Sequence, residues 1–295
     1  MHTRFSGLHT AIITPMLADG SLDEPSFLRL VDEQVAAGVD GVVVCGSTGE
    51  GATLTADEKV RLWELAVERC NGRIDVIAGT GSNDTRATVD LSKRAAACGV
   101  KGLLVVTPYY NKPTPSGQLA HVAAVASAVD TAIILYNVPG RTGTNMSAET
   151  QLRIADAIPS VVATKEASAN LEQQHEILRG AREGFDVLAG DDVLALPTIS
   201  LGGRGVIAVV SNYAPRRFGR LIRFALAGDF ASARTIQREL GPFFAANFLE
   251  SNPGPVKYIM HRLFNTELVY RLPLVAPSAA TQSQLDGVLA GFVDA

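Results

Sequence analysis

The chain has 295 residues, 47% hydrophobic and 19% charged, a balance that allows a large buried core and excludes a disordered or collagen-like polymer. A formal net charge of −4 and a pI near 5.8 argue against wholesale binding to nucleic acid or acidic lipid. The three cysteines, Cys45, Cys70 and Cys98, are odd in number and far apart, which excludes a disulfide framework or zinc pattern and leaves reduced, mostly buried thiols in a cytoplasm as the expectation.

The N-terminal MHTRFSGLHTAIITP has no long apolar stretch ending in a cleavage site. The longest apolar runs fall far short of the roughly 20 residues of a membrane helix, so neither secretion nor membrane insertion is expected. Those runs recur regularly: Thr10 to Ile13, Gly41 to Cys45, Ile74 to Ala78, Gly102 to Val106, Ala132 to Tyr136, Val161 to Ala163, Phe185 to Ala189 and Val206 to Val210. They are continuous rather than alternating, as strands buried on both faces should be. Helical spacing fills the intervals, as in Phe27, Val31 and Val35, or Ala87, Leu91, Ala95 and Cys98. Thr55 with Glu58 reads as a capping box, and Thr114 precedes Pro115 at a first helical position. Gly38, Gly72 and Gly99 stand where helices stop before the next strand. Eight strand–helix units of roughly 20 to 30 residues predict a (β/α)8 TIM barrel. A doubly wound sheet shares the alternation and is the main alternative. The eighth helix is expected near Pro215. Helices near Phe230 to Leu249, Val256 to Leu263 and Ser278 to Val293 then make a C-terminal helical appendage, with the barrel over 1–225 and the helical region over 226–295.

Cofactor and metal motifs are weak. Gly79-Thr80-Gly81-Ser82-Asn83-Asp84 opens like a dinucleotide fingerprint but lacks its third glycine. No GxxxxGK or HExxH occurs, and the five histidines do not cluster, so no metal is expected. The basic stretch Arg216, Arg217, Arg220 and Arg223 reads as a solvated or subunit-facing helix.

In a barrel of this kind the chemistry gathers at the C-terminal ends of the strands. Lys165 follows the buried run Val161 to Thr164. Burial there disfavours the charged amine, and a neutral amine can attack a ketone to form a Schiff base. A structural pairing of Lys165 with Glu166 or Asp191 is the competing reading. Tyr136 ends the neighbouring run and offers a phenol for proton transfer, with Thr48 and Tyr110 as hydroxyls for a relay. Gly46 and Gly49 around Ser47 and Thr48 suggest a turn whose N–H groups face a carboxylate, such as that of a keto acid. Arg141 is placed to clamp a second carboxylate.

Taken in order, GSTGE at 46–50, GTGSN at 79–83, TPYYNKP at 107–113, LYNVPGRTG at 135–143, KEA at 165–167, AGDD at 189–192, GGRGVIAV at 202–209 and ESNPGPVK at 250–257 resemble the dihydrodipicolinate synthase family, within the N-acetylneuraminate lyase superfamily of Schiff-base aldolases. The resemblance spans nearly the whole chain. It implies that Lys165 forms an imine with pyruvate, with no other cofactor, and that L-aspartate 4-semialdehyde is the second substrate. It also implies that Thr48, Tyr136 and Tyr110 form a proton relay and that Ser47 and Thr48 hold the pyruvate carboxylate. Arg141 would receive the carboxylate of the aldehyde, and Gly190 and Ile207 would lie near the lysine and substrate. Tyr110 would reach a neighbouring subunit's site, which implies a homotetramer built as a dimer of dimers. Ser47 stands where these synthases usually carry threonine, and Gly254 where they carry isoleucine. A Schiff-base aldolase for another 2-keto acid and a non-catalytic keto-acid binder are the alternatives; an intact Lys165, Tyr136 and Thr48 disfavours the binder. Many members are inhibited by lysine beside Gly51, Ala52, Asn83 and Tyr109. Ala56, Lys59 and Ala87 replace the histidines and glutamate of that pocket, so a weak or absent response is expected.

Overall fold

A computed structural model describes residues 5–294. Each apolar run forms a strand: β1 (Gly7–Ala11), β2 (Gly41–Val44), β3 (Asp75–Gly79), β4 (Gly102–Val106), β5 (Ala132–Asn137), β6 (Val161–Glu166), β7 (Asp186–Ala189) and β8 (Gly205–Ala208). All pair in parallel and in chain order, and β1 pairs with both β2 and β8. The sheet therefore closes into a barrel, whereas a doubly wound sheet would leave two open edges.

Helices α1 (Glu24–Ala37), α2 (Ala56–Cys70), α3 (Thr85–Ala97) and α4 (Pro115–Ala126) follow the first four strands. A single turn α5 (Pro139–Thr142) precedes α6 (Ala148–Ala157), and α7 (Leu171–Gly180), α8 (Ala195–Ser200) and α9 (Pro215–Leu226) complete the ring. Beyond it come α10 (Phe230–Ala246), α11 (Gly254–Phe264) and α12 (Ala279–Leu289). Local sequence accounts for the starts. The Thr55 hydroxyl accepts the Glu58 N–H at 3.2 Å while the Glu58 carboxylate accepts the Thr55 N–H at 2.8 Å. Thr114 caps α4, with Pro115 in its first turn.

Period-two alternation along the strands splits the core in two. Phe5, Val43, Ile77, Leu104, Ile134, Leu188 and Ile207 form the inner cluster, while Leu8, Val42, Val44, Leu62, Trp63 and Phe218 belong to the larger cluster between strands and helices.

Several strand ends differ from the apolar runs, and the differences at β6 and β8 bear on the site. β6 continues past its apolar residues through Thr164, Lys165 and Glu166 because both neighbours hold it, Tyr136 and Asn137 on β5 and Leu188 and Ala189 on β7. β8 stops at Ala208, short of Val210. The Asp192 carboxylate captures the N–H groups of Val209 and Val210 at 2.9 and 2.7 Å, which diverts the backbone from the ladder into a turn.

Among the described residues, no helix is long and apolar enough to cross a membrane. Cys45 and Cys70 are buried and Cys98 half-buried, all as free thiols.

Candidate active site

Parallel pairing sets Tyr136 of β5 directly beside Lys165 of β6. Lys165 is only 7% exposed, and its Nζ lies 4.3 Å from the centroid of the Tyr136 ring. No ion pair joins Lys165 to Glu166 or Asp191 among the described residues. Glu166 is spent elsewhere: Asn137, Gln151 and Gln173 side-chain amides and the Ser168 N–H all donate to its carboxylate at 2.7 to 3.1 Å. Asp191 is largely buried, which pushes its carboxyl upward against the pull of Lys165, and its Oδ2 has no hydrogen-bond partner. Asp192 is raised to about 6, by burial first, although two backbone N–H groups oppose the shift. The structural reading of Lys165 as a paired cation is therefore not what the fold builds. Among the described residues no carboxylate forms an ion pair with the amine, which stands against a phenol ring.

The turn after β2 carries Ser47 and Thr48. Gly51 closes it, donating its N–H to the Gly46 carbonyl at 3.1 Å. A Cβ at Gly51 would lie 2.2 Å from the Cys45 carbonyl oxygen, so the turn closes this tightly only with glycine. Among the described residues, no hydrogen bond uses the N–H of Ser47 or Thr48, which leaves both for an anion.

This turn is tied to the C-terminal part of the chain. Glu50 forms a fully buried ion pair with Lys257 of α11. Lys257 also donates to the Val269 carbonyl at 2.6 Å and lies over the Tyr270 ring. Burial pushes the Lys257 ammonium down while Glu50 pulls it back up. Arg271 pairs with Glu58 and donates to the carbonyls of Thr53 and Gly20, both at 3.0 Å. Asn252 completes the link. Its Nδ2 donates to the Thr48 hydroxyl at 3.0 Å, and its backbone carbonyl accepts from the Arg141 guanidinium at 3.0 Å.

A cavity of about 390 Å³ opens over these elements, with Ser47, Tyr136, Arg141 and Asn252 on its wall. Gly79, Gly81, Lys59, Tyr109 and Leu274 also line it. Lys165, Thr48, Gly190 and Ile207 are not in that lining. Lys165 meets it through Tyr136 and Thr48 through Asn252. Gly190 donates its N–H to the Glu166 carbonyl at 2.8 Å, beside Lys165, and a Cβ there would come within 2.3 Å of Ala167 Cβ. Ile207 is buried in the inner barrel cluster with Tyr136. Tyr110 is 87% exposed and turned out of this chain's cavity, with backbone φ of 69°. No hydrogen bond links Thr48, Tyr136 and Tyr110 to one another among the described residues.

Reading the sequence missed Asn252, Glu50 and Lys257 as site-building residues. Each sits inside a motif that carries the family resemblance, but nothing in those motifs says which residue on a turn near 50 meets which residue near 255. Among the described residues no group of three or more His, Cys, Asp or Glu side chains is placed to hold a metal ion.

Comparison with known proteins places this geometry. The sequence model of the Dihydrodipicolinate synthetase family matches residues 4–290. A 4-hydroxy-tetrahydrodipicolinate synthase of Acidobacterium capsulatum is 46% identical over 282 residues, 95% of this chain and 93% of that protein. One of Nitratidesulfovibrio vulgaris is 46% identical over 287 residues, 97% of this chain and 98% of that protein. The crystal structure of the dihydrodipicolinate synthase of Aquifex aeolicus superposes with a TM-score of 0.95 at 43% identity, covering 97% of this chain and 98% of that one.

Proposed function

Because the chain belongs to the Dihydrodipicolinate synthetase family, we propose that it condenses pyruvate with L-aspartate 4-semialdehyde to give 4-hydroxy-tetrahydrodipicolinate, on the route to lysine and diaminopimelate. The observation that carries the reading is Lys165, a buried amine with no carboxylate ion-pair partner among the described residues, 4.3 Å from the Tyr136 ring centroid at a barrel strand end. Its amine adds to the pyruvate ketone and water leaves, forming an imine. Loss of a methyl proton gives an enamine, whose carbon attacks the aldehyde. The amine of the semialdehyde then displaces Lys165 as the ring closes. The free N–H groups of Ser47 and Thr48 suit the pyruvate carboxylate, and Arg141 suits the carboxylate of the aldehyde. Tyr136 exchanges the protons, supplied through Thr48. The imine itself is the electron sink, so no further cofactor enters.

The exposure of Tyr110 fits a hydroxyl lent to a second copy of the chain, hence a dimer and, from two dimers, a homotetramer. Gly190 and Ile207 shape the ground beside the lysine rather than the cavity wall. We take residues 1–225 as the catalytic barrel, 226–295 as its helical appendage, and the cytoplasm as the place of action.

The test is intact-mass analysis after incubation with pyruvate and borohydride. The expected result is one reduced pyruvyl adduct, mapped to Lys165 and absent in Lys165→Arg. An adduct on another lysine overturns the assignment. The serine at position 47 keeps a second reading in view, an aldolase for another 2-keto acid. Cleavage of sugar acids faster than condensation with the semialdehyde would select it.

A further inference from the structure

We propose that Asn252 is a positioning residue that orients the Thr48 hydroxyl proton toward Tyr136 and, through its own backbone, holds Arg141 at the mouth of the cavity. The inference rests on the reading of Lys165, Tyr136 and Thr48 given above.

Asn252 comes from the C-terminal part of the chain, 204 residues from Thr48. It is 5% exposed, it stands on the cavity wall, and it touches both ends of the site. An amide nitrogen only donates. A hydroxyl oxygen that accepts from it at 3.0 Å keeps its single proton free for another acceptor. The Thr48 hydroxyl donates to no group among the described residues, so that proton is uncommitted. Without the amide, the hydroxyl would rotate toward any nearby carbonyl, and the relay would start from a hydroxyl facing the wrong way. The Asn252 carbonyl oxygen, Oδ1, is buried with no hydrogen-bond partner. The second contact is through the main chain: the Asn252 carbonyl accepts from Arg141 at 3.0 Å. A side-chain substitution therefore tests the Thr48 contact and leaves the Arg141 contact in place.

The experiment follows two readouts in the full-length protein. One is the enzyme-catalysed exchange of pyruvate methyl protons with deuterated water, which needs the imine and the proton relay but no aldehyde. The other is borohydride trapping on Lys165. Asn252→Ala should slow methyl exchange by about 10- to 100-fold while trapping stays near wild type. Asn252→Asp distinguishes orientation from packing. Its carboxylate accepts from Thr48 and draws the hydroxyl proton away, so exchange should be slow at neutral pH. It should recover toward wild type as the pH falls and the carboxyl becomes a donor. In a Thr48→Val background, Asn252→Ala should add no further loss. Wild-type exchange in Asn252→Ala, equal slowing of Asn252→Asp and Asn252→Ala at every pH, or independent losses in the double variant would each overturn the proposal. Failure of wild-type trapping on Lys165 would instead overturn the function on which it rests.

Discussion

The β5–β6 pair and the turn after β2 reach the same cavity by different physical means. Tyr136 and Lys165 sit opposite each other in a ladder, and their side chains point inward because strand periodicity requires it. Thr48 and Arg141 lie on a turn and a single helical turn, where the backbone alone sets no such direction. Their placement comes from Asn252, and that of the turn from Glu50 and Lys257, contacts that span more than 100 residues. Lys165 thus rides on the rigid scaffold, whereas Thr48 and Arg141, to which we assign proton handling and the second substrate, ride on a clasp. Loops held by scaffolds are where substrate selection commonly resides.

The largest effect should come from cutting the clasp. Lys257→Met strands a buried Glu50 carboxylate and should cost about 3–5 kcal/mol of stability, measured by denaturant unfolding. Under conditions where the variant stays folded, borohydride trapping on Lys165 should survive while condensation falls. Equal loss of both would mean that the ladder does not hold Lys165 independently of the clasp.

The scaffold has its own handle in His9, buried in β1 opposite Gly41 and Ile207, with neither ring nitrogen hydrogen-bonded. Burial lowers its pKa from 6.5 to about 4. Between those values the unfolded chain binds more protons, so His9 contributes stability that is lost as the pH falls, about 3 kcal/mol in all. Asp192, raised from 3.8 to about 6, acts oppositely: its contribution is full at low pH and is lost as the pH rises through 6. His9→Met should therefore gain roughly 2–3 kcal/mol relative to wild type between pH 7 and pH 4.5, read from urea unfolding at both pH values. A difference that does not change with pH would show that folding leaves the His9 pKa unshifted.

Arg141→Ala should lower kcat/KM for the semialdehyde by about ten- to a hundredfold, from the loss of roughly 1.5–3 kcal/mol in a charge-assisted contact. Imine formation with pyruvate should be unchanged. Parallel damage to both would place Arg141 with the scaffold group.

The smallest effect is an expected absence of response. Lys59 is half-buried on the cavity wall, and burial lowers its ammonium pKa. Ala87 offers no carboxylate to an incoming ammonium. L-Lysine should give no half-inhibition below about 1 mM, equivalent to about −4 kcal/mol of binding. A steady-state titration of condensation decides it, and tighter inhibition would mean that another acid on the rim receives the ligand.

Sequence alone determined the barrel, because it depends on local rules, and the same rules singled out Lys165 as the nucleophile we propose. Eight continuous apolar runs at short intervals admit few closed topologies, and a lysine at the end of a buried run is conspicuous for its desolvation. The capping box at Thr55 and the proline start at Thr114 were legible for the same reason, since each partner lies within one helical turn. Tertiary structure decided what acts at a distance. It ended β8 early, because Asp192 takes two of its N–H groups. It turned Tyr110 outward and brought Tyr109 to the cavity wall instead. It also joined Asn252 to Thr48 and Lys257 to Glu50. Those pairings carry no period and no spacing, because they depend on where α11 comes to rest against the barrel mouth, which only the packed chain specifies.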